Sequence, residues 1–219
     1  MVKKPLRNVA YNYLYDSIIT NKLSPGQAIV EQEISDLLGV SRTPIREALK
    51  QLTAERLVRH IPARGTFVEE MSTQDVEELF EIRMIFEETA LKWAIDKITD
   101  GELDEMERAL NSLNDDVAQP EDFYCIDRKL HDLILRYGRN RRMIEFLDNV
   151  NSQLERLRRI SAMTPKRLEK SKIEHLEILC AIKERNLEKA VGALHSHLKN
   201  VEKSTLDVCE QARLKITKL

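Results

Sequence analysis

From Ser72 to about Glu210 the chain carries a single periodicity. Apolar residues recur three and four positions apart, and no run alternates in the way a half-buried strand would. A stretch of that length with one period has to bury its apolar stripes helix against helix. Breaks at Thr99-Asp100-Gly101, Gln119-Pro120, Gly138 and Thr164-Pro165 divide it. The spacing predicts helices over 73–98, 100–116, 120–137, 140–160, 165–185 and 187–213. Composition agrees: six Gly and six Pro in 219 residues, 33% charged and 5% aromatic, suit long amphipathic helices better than a many-turned sandwich or barrel. The apolar share, 42%, is enough to fill a core. The fold class expected is mostly α.

The first seventy residues are organised differently. Leu6–Thr20 reads as a helix, with Val9, Tyr13, Ile18 and Ile19 near helical spacing, and Ser24-Pro25-Gly26 turns the chain. Ile29 and Val30 form an extended bridge into a short helix, Glu31–Leu38, which Gly39 ends. Ser41–Arg56 is a third helix, with Ser41 and Thr43 as candidate caps and Pro44 in its first turn. Leu57–His60 and Thr66–Glu69 read as two short strands around a tip, Ile61-Pro62-Ala63-Arg64-Gly65. The domains expected are 1–70 and 71–219, with the last residues frayed.

Helix, glycine turn, helix and hairpin, in that order, make a winged helix-turn-helix. On the third helix Ile45, Leu49 and Leu52 share an apolar face, while Arg42, Arg46 and Lys50, four apart, form a basic stripe opposite. A helix of this width enters the major groove of B-DNA, and a guanidinium pairs bidentately with guanine O6 and N7. Arg64, beside Gly65 at the hairpin tip, is placed to enter the minor groove. The first 68 residues hold ten basic against six acidic side chains. That excess is modest, so specific contacts and dimerisation must supply the rest of the affinity. The net charge of the chain, −2, is neutral evidence, because only a docking face need be basic.

In the helical part, Asp127 and His131 are four apart, on a face shared with Phe123, Leu130 and Ile134. His175 lies on the stripe Leu168, Leu179, Ile182, and His197 continues Ala190, Leu194 and Val201. Three helices thus each turn polar ligands into an apolar core, where imidazole and carboxylate are costly unless paired. One Asp and three His suit a divalent ion, zinc before nickel or manganese, with a position left for water or an effector oxygen. His195, about 200° round the helix from His197, and His60 beside the hairpin are read as non-ligands. Cys125, Cys180 and Cys209 are widely spaced and read as buried or half-buried reduced thiols. No apolar run reaches the length of a membrane span and Met1–Ala10 lacks a signal-peptide core, so a soluble cytoplasmic protein with no membrane partner is expected.

The run Glu33–Leu49, with Ser41-Arg-Thr-Pro-Ile-Arg-Glu-Ala48 inside it, followed by Leu57-Val58 and Arg64-Gly65-Thr66-Phe67-Val68, resembles the GntR family of bacterial transcription regulators. The helical remainder resembles its FadR subfamily, whose C-terminal ligand domain is called FCD. The resemblance implies a ligand-responsive regulator, not an enzyme, that binds a palindromic operator as a homodimer. It implies operator contacts at the positions of Arg42, Thr43 and Arg46, with Lys50 on the same stripe, and approach of the wing glycine, Gly65, to the minor groove. A large group of FCD domains carries Asp-x-x-x-His followed by a His on each of two later helices, and Asp127, His131, His175 and His197 match it. Arg83 matches a family arginine near the ligand pocket, where it would clamp the carboxylate of a small organic acid. Asn140 matches a helix-start residue. Gln32 stands where the subfamily's namesake has an arginine, a departure that bears on the operator sequence. Two other readings remain at this point. A metalloenzyme could use the same site to activate water, though no further buried acid is placed as a general base. A metal-free acyl-CoA sensor would have no need of the histidine set.

Overall fold

The computed structural model describes residues 6–113 and 119–216. They divide into two compact units: residues up to Ser72 with Asn149–Arg156, and Thr73–Asp148 with the chain from Leu157 onward.

The first unit opens with α1 (Leu6–Ile19), β1 (Ala28–Ile29), α2 (Glu31–Leu38) and α3 (Arg42–Ala54), followed by β2 (Val58–Ile61) and β3 (Gly65–Val68). Its core is Ala10, Leu14 and Ile18 from α1 packed on Ile45, Leu49 and Leu52 from α3, closed by Leu57, Val58 and Val68. Gly39 ends α2 at φ +63°, a left-handed conformation that glycine enters without a Cβ penalty, and its N–H donates to the Ser35 carbonyl. Ser41 stands at the start of α3, but its side chain makes no capping hydrogen bond, and Thr43 lies inside the helix. The bridge expected around Ile29 is a strand. β1 pairs with β3 (Ala28 opposite Phe67, Ile29 opposite Thr66), making an antiparallel sheet in the order β1-β3-β2. The tip between β2 and β3 turns through Ala63 and Gly65, both at positive φ.

The second unit is helical: α4 (Thr73–Ala94), α5 (Asp100–Ser112), α6 (Pro120–Arg136), α7 (Arg141–Ser161), α8 (Arg167–Lys183) and α9 (Leu187–Ile216). α4 and α8 both pack on α9, α4 also meets α6, and α5 lies against α6 and α8. α5 opens with a reciprocal capping box between Thr99 and Glu102. Asn140 caps α7 through Oδ1, which accepts from the Met143 N–H. The first of these helices ends at Ala94, short of the expected residue 98, and the second at Ser112; the expected extension to 116 runs into residues outside those described. The cysteines were expected at least half-buried. Cys125 and Cys180 are instead exposed, on polar faces of α6 and α8, and only Cys209 is intermediate.

Candidate metal centre and DNA-reading face

Asp127 and His131 stand one turn apart on α6, His175 projects from α8 and His197 from α9. One donor atom from each converges so that all four lie within 4.8 Å of one another. All three imidazoles are buried. Asp127 Oδ1 is 3.2 Å from His175 Nε2, 3.9 Å from His131 Nε2 and 4.0 Å from His197 Nε2. The Nε2 atoms of His175 and His197 are 3.3 Å apart. A tetrahedron of nitrogen and oxygen ligands around zinc has edges of about 3.4 Å, so small side-chain shifts would close this set around an ion.

The ring orientations come from a second layer of charge. His131 Nδ1 donates to Glu87 Oε2 at 2.5 Å, and Glu87 Oε1 accepts from Arg83 Nε at 2.6 Å. His197 Nδ1 donates to Glu174 Oε2 at 2.8 Å, and both oxygens of Glu174 accept from the guanidinium of Arg167. A carboxylate only accepts, so each ring carries its proton on Nδ1 and turns a bare Nε2 lone pair to the centre. His131 Nε2 is buried and has no hydrogen-bond partner among the described residues. A basic nitrogen buried without a donor, facing a carboxylate and two more imidazoles, is what a cation site requires. The residues present therefore fit a divalent metal.

The electrostatics run the same way. Burial, more than any other influence, holds the His131 imidazole below its ordinary value, against the pull of Glu87. Burial and the neighbouring His175 push His197 down to about 3. Burial opposes charge on Asp127, but the hydrogen bond from His175 and the Arg158 guanidinium, whose Nε is 2.6 Å from Oδ2, hold it well below the usual carboxylate range. Burial likewise opposes charge on Glu87 and Glu174. Arg83 and His131 outweigh it at Glu87, while His197 and Arg167 bring Glu174 to about 2. At neutral pH His131 and His197 are neutral and Asp127, Glu87 and Glu174 ionised, the protonation states that bind metal.

Beside Asp127 and His175 opens a narrow cleft. Leu110, Leu113, Phe123 and Val201 form an apolar wall, and Arg158, Arg167, Ser171 and Lys172 a polar one. Arg83 does not line it. The side chain is 1% exposed, stands behind His131, and clamps Glu87 rather than the cavity. His195 pairs with Glu88 Oε2 at 2.9 Å and His60 lies 3.2 Å from the Thr66 hydroxyl; both stand outside the four-residue cluster. Glu87, Glu174, Arg158 and Arg167 were not read from the sequence. Of these only Glu87 had a spacing signal, one turn after Arg83.

In the first unit, Arg42, Thr43, Arg46 and Lys50 are all exposed on one side of α3, opposite buried Ile45 and Leu49, and Arg64 and Gly65 are exposed at the hairpin tip. Two of the arginines are held by α2. Arg42 Nε donates to Gln32 Oε1 at 2.9 Å, and Arg46 Nε pairs with Glu31 at 2.8 Å.

A winged helix-turn-helix joined to a helical unit with an Asp/His₃ centre defines a class, the DNA-binding regulator with a ligand-sensing domain. Comparison with known proteins identifies the family. Residues 6–68 match the model "Bacterial regulatory proteins, gntR family", and residues 78–200 match the FCD domain. The chain is 25% identical over 210 residues to the HTH-type transcriptional repressor RspR of Escherichia coli K12, covering 95% of this chain and 92% of RspR. A GntR-type transcriptional regulator from Rhodococcus sp. RHA1 superposes with a TM-score of 0.75 at 23% identity, over 92% of this chain and 97% of that one. The metal-free FCD domain of the transcriptional regulator TM0439 superposes with a TM-score of 0.59 at 27% identity, over 65% of this chain and 99% of that one. This protein belongs to the GntR family of transcription regulators, in the group that carries an FCD effector-binding domain, and its relatives are regulators rather than enzymes. No described helix is long and apolar enough to cross a membrane.

Proposed function

We propose that this regulator binds a palindromic operator as a homodimer, and that a small organic acid, held at a zinc ion by its FCD domain, changes its hold on DNA. The observation that carries the reading is the convergence of Asp127, His131, His175 and His197, with the imidazoles of His131 and His197 locked by Glu87 and Glu174 so that each offers Nε2. These four residues would hold the ion, and nickel or manganese are the next candidates. When bound, the ion supplies a Lewis-acidic position that a carboxylate oxygen can occupy. The cavity supports an acid: Arg158, Arg167 and Lys172 line it against the one carboxylate of Asp127, and a divalent cation would add to that positive field. Arg83 serves the effector through Glu87 and His131.

At the DNA, Arg42 and Arg46 read guanine edges in the major groove. Thr43 and Lys50 meet the adjoining backbone, and Arg64 beside Gly65 reaches the minor groove. The exposed bonds of Arg42 to Gln32 and Arg46 to Glu31 are exchanged for these contacts. Two copies match the two half-sites of a palindrome. The effector can act only through a difference in its affinity for two arrangements of the protein, and the joint at residues 69–72, between β3 and α4, is the place where they would differ. Native mass spectrometry of protein purified without chelator tests the reading in one measurement. The expected species is a dimer with one divalent ion per chain and a co-purified acid displaced by dialysis. A monomer free of metal that takes up none on addition of zinc refutes it.

A further inference from the structure

The cavity beside the metal centre is lined by a guanidinium whose bonding is incomplete. Arg167 is buried at the first position of α8, and its terminal nitrogens are committed to Glu174. Its Nε is also buried and has no hydrogen-bond partner among the described residues. A guanidinium N–H left bare in the interior costs free energy that an acceptor recovers, and the side chain lines the cavity. Ser171 and His175 follow Arg167 at successive four-residue steps, so all three share one face of α8, and all three line the cavity. That face runs from the metal end, at His175 and Asp127, to the positive end of the helix dipole, at Arg167. Lys172 lines the cavity too, its ammonium on the Leu113 carbonyl at 2.5 Å.

We propose that Arg167 and Ser171 form a second anion subsite, so that the effector is a short dicarboxylate, one group on the metal and the other on Arg167. This rests on the metal-bound acid of the preceding section and adds the second acidic group. Ser171 lies one turn, about 6 Å of helix rise, from His175, and the Arg167 guanidinium, folded along α8 onto Glu174, lies beside that span, which suits a molecule of succinate size. A monocarboxylate satisfies the metal and leaves Arg167 Nε bare. The Arg167 fork on Glu174, and Glu174 on His197 Nδ1, also tie this subsite to a metal ligand. An acid drawn to Arg167 competes with Glu174 for the guanidinium and is thereby felt at His197.

The test is calorimetric titration of zinc-loaded full-length protein with succinate and with acetate. Wild type should bind succinate at least about tenfold more tightly than acetate, the increment of one charge-assisted pair. Arg167→Gln should bring that ratio near one, whatever its effect on the affinity for acetate. Ser171→Val, which narrows the subsite without touching the Arg167–Glu174 pair, should lower the ratio as well and serves if Arg167→Gln does not fold. Competition against a chromophoric chelator supplies a second readout: succinate, and not acetate, should shift zinc affinity in wild type, and Glu174→Gln should abolish that shift. Zinc bound with no preference for succinate, or a preference untouched by both α8 substitutions, overturns the subsite alone. Failure of wild type to bind zinc overturns the metal reading and this one with it.

Discussion

Glu87 and Glu174 decide which nitrogen His131 and His197 offer, and they illustrate what a sequence hides at the scale of single residues. Asp127 and His131 were legible because two polar residues one turn apart, on a face otherwise made of Phe123, Leu130 and Ile134, demand a reason for being buried. Glu174 was not legible. It precedes His175, neighbours in a helix diverge by about 100°, and nothing in the spacing says that it meets His197 on another helix. Arg83 was singled out as an effector clamp, and its guanidinium lies instead behind His131, on Glu87. Glu87→Gln should therefore weaken zinc binding about tenfold or more while leaving the helical content unchanged, as chelator competition and circular dichroism would measure. Unchanged zinc affinity would mean that the carboxylate does not tune the ring. On α3, Arg42→Ala and Arg46→Ala should each cost ~1–3 kcal/mol of operator binding in fluorescence anisotropy with no change in melting temperature. Full affinity in both variants would remove α3 as the reading helix.

At the scale of elements, the starts of the helices were readable and some ends were not. Pro120, Asn140 and Thr99 announce α6, α7 and α5 through local chemistry that a few adjacent residues contain. The end of α4 is set from a distance. Arg185 donates to the carbonyls of Ile95 and Ile98 at 2.5 and 2.7 Å and pairs with Asp100, taking oxygens that a longer helix would use. The strand β1 was missed because two residues carry no period; it exists only by pairing with β3. Gly39 tests the turn of the helix-turn-helix. No atom lies within 4 Å of a Cβ built there, so Gly39→Ala should cost only the left-handed backbone penalty, ~1–2 kcal/mol in thermal denaturation. A cost near zero would show that the turn relaxes to another conformation.

The helices around the centre also predict an acid response of the metal-free protein. His197 in the fold protonates only near 3, whereas an unfolded imidazole does so at about 6.5. The unfolded chain then binds more protons throughout that window, so stability falls as pH drops from about 6.5 toward 3. Glu174, at about 2 in the fold against an ordinary 4.5, adds a loss of the same sign at lower pH. Thermal melts of chelated protein should shift downward between about pH 7 and about pH 5. A flat profile there would show that these groups are not buried as described.

For the whole molecule, two units with separate cores explain why bulk properties said little. The net charge of −2 gives no hint of DNA, because the cationic stripe is confined to one helix and a hairpin tip. The order helix, turn, helix, hairpin and then unbroken helical periodicity was legible because each unit is built from contiguous signals. The candidate metal centre needs three helices brought together, and in the sequence it showed only as lone polar residues on apolar faces and as a match to the FCD pattern. Its contribution is measurable in the intact protein. An ion present at about a hundred times its dissociation constant adds ~2.7 kcal/mol, or roughly 5–10 °C in a chain of this size. The most direct measurement is differential scanning calorimetry of the full chain as purified, after chelation, and after zinc is restored. The account predicts that the transition of the helical unit drops by that amount on chelation and recovers with zinc. Superimposable traces in all three states would contradict it.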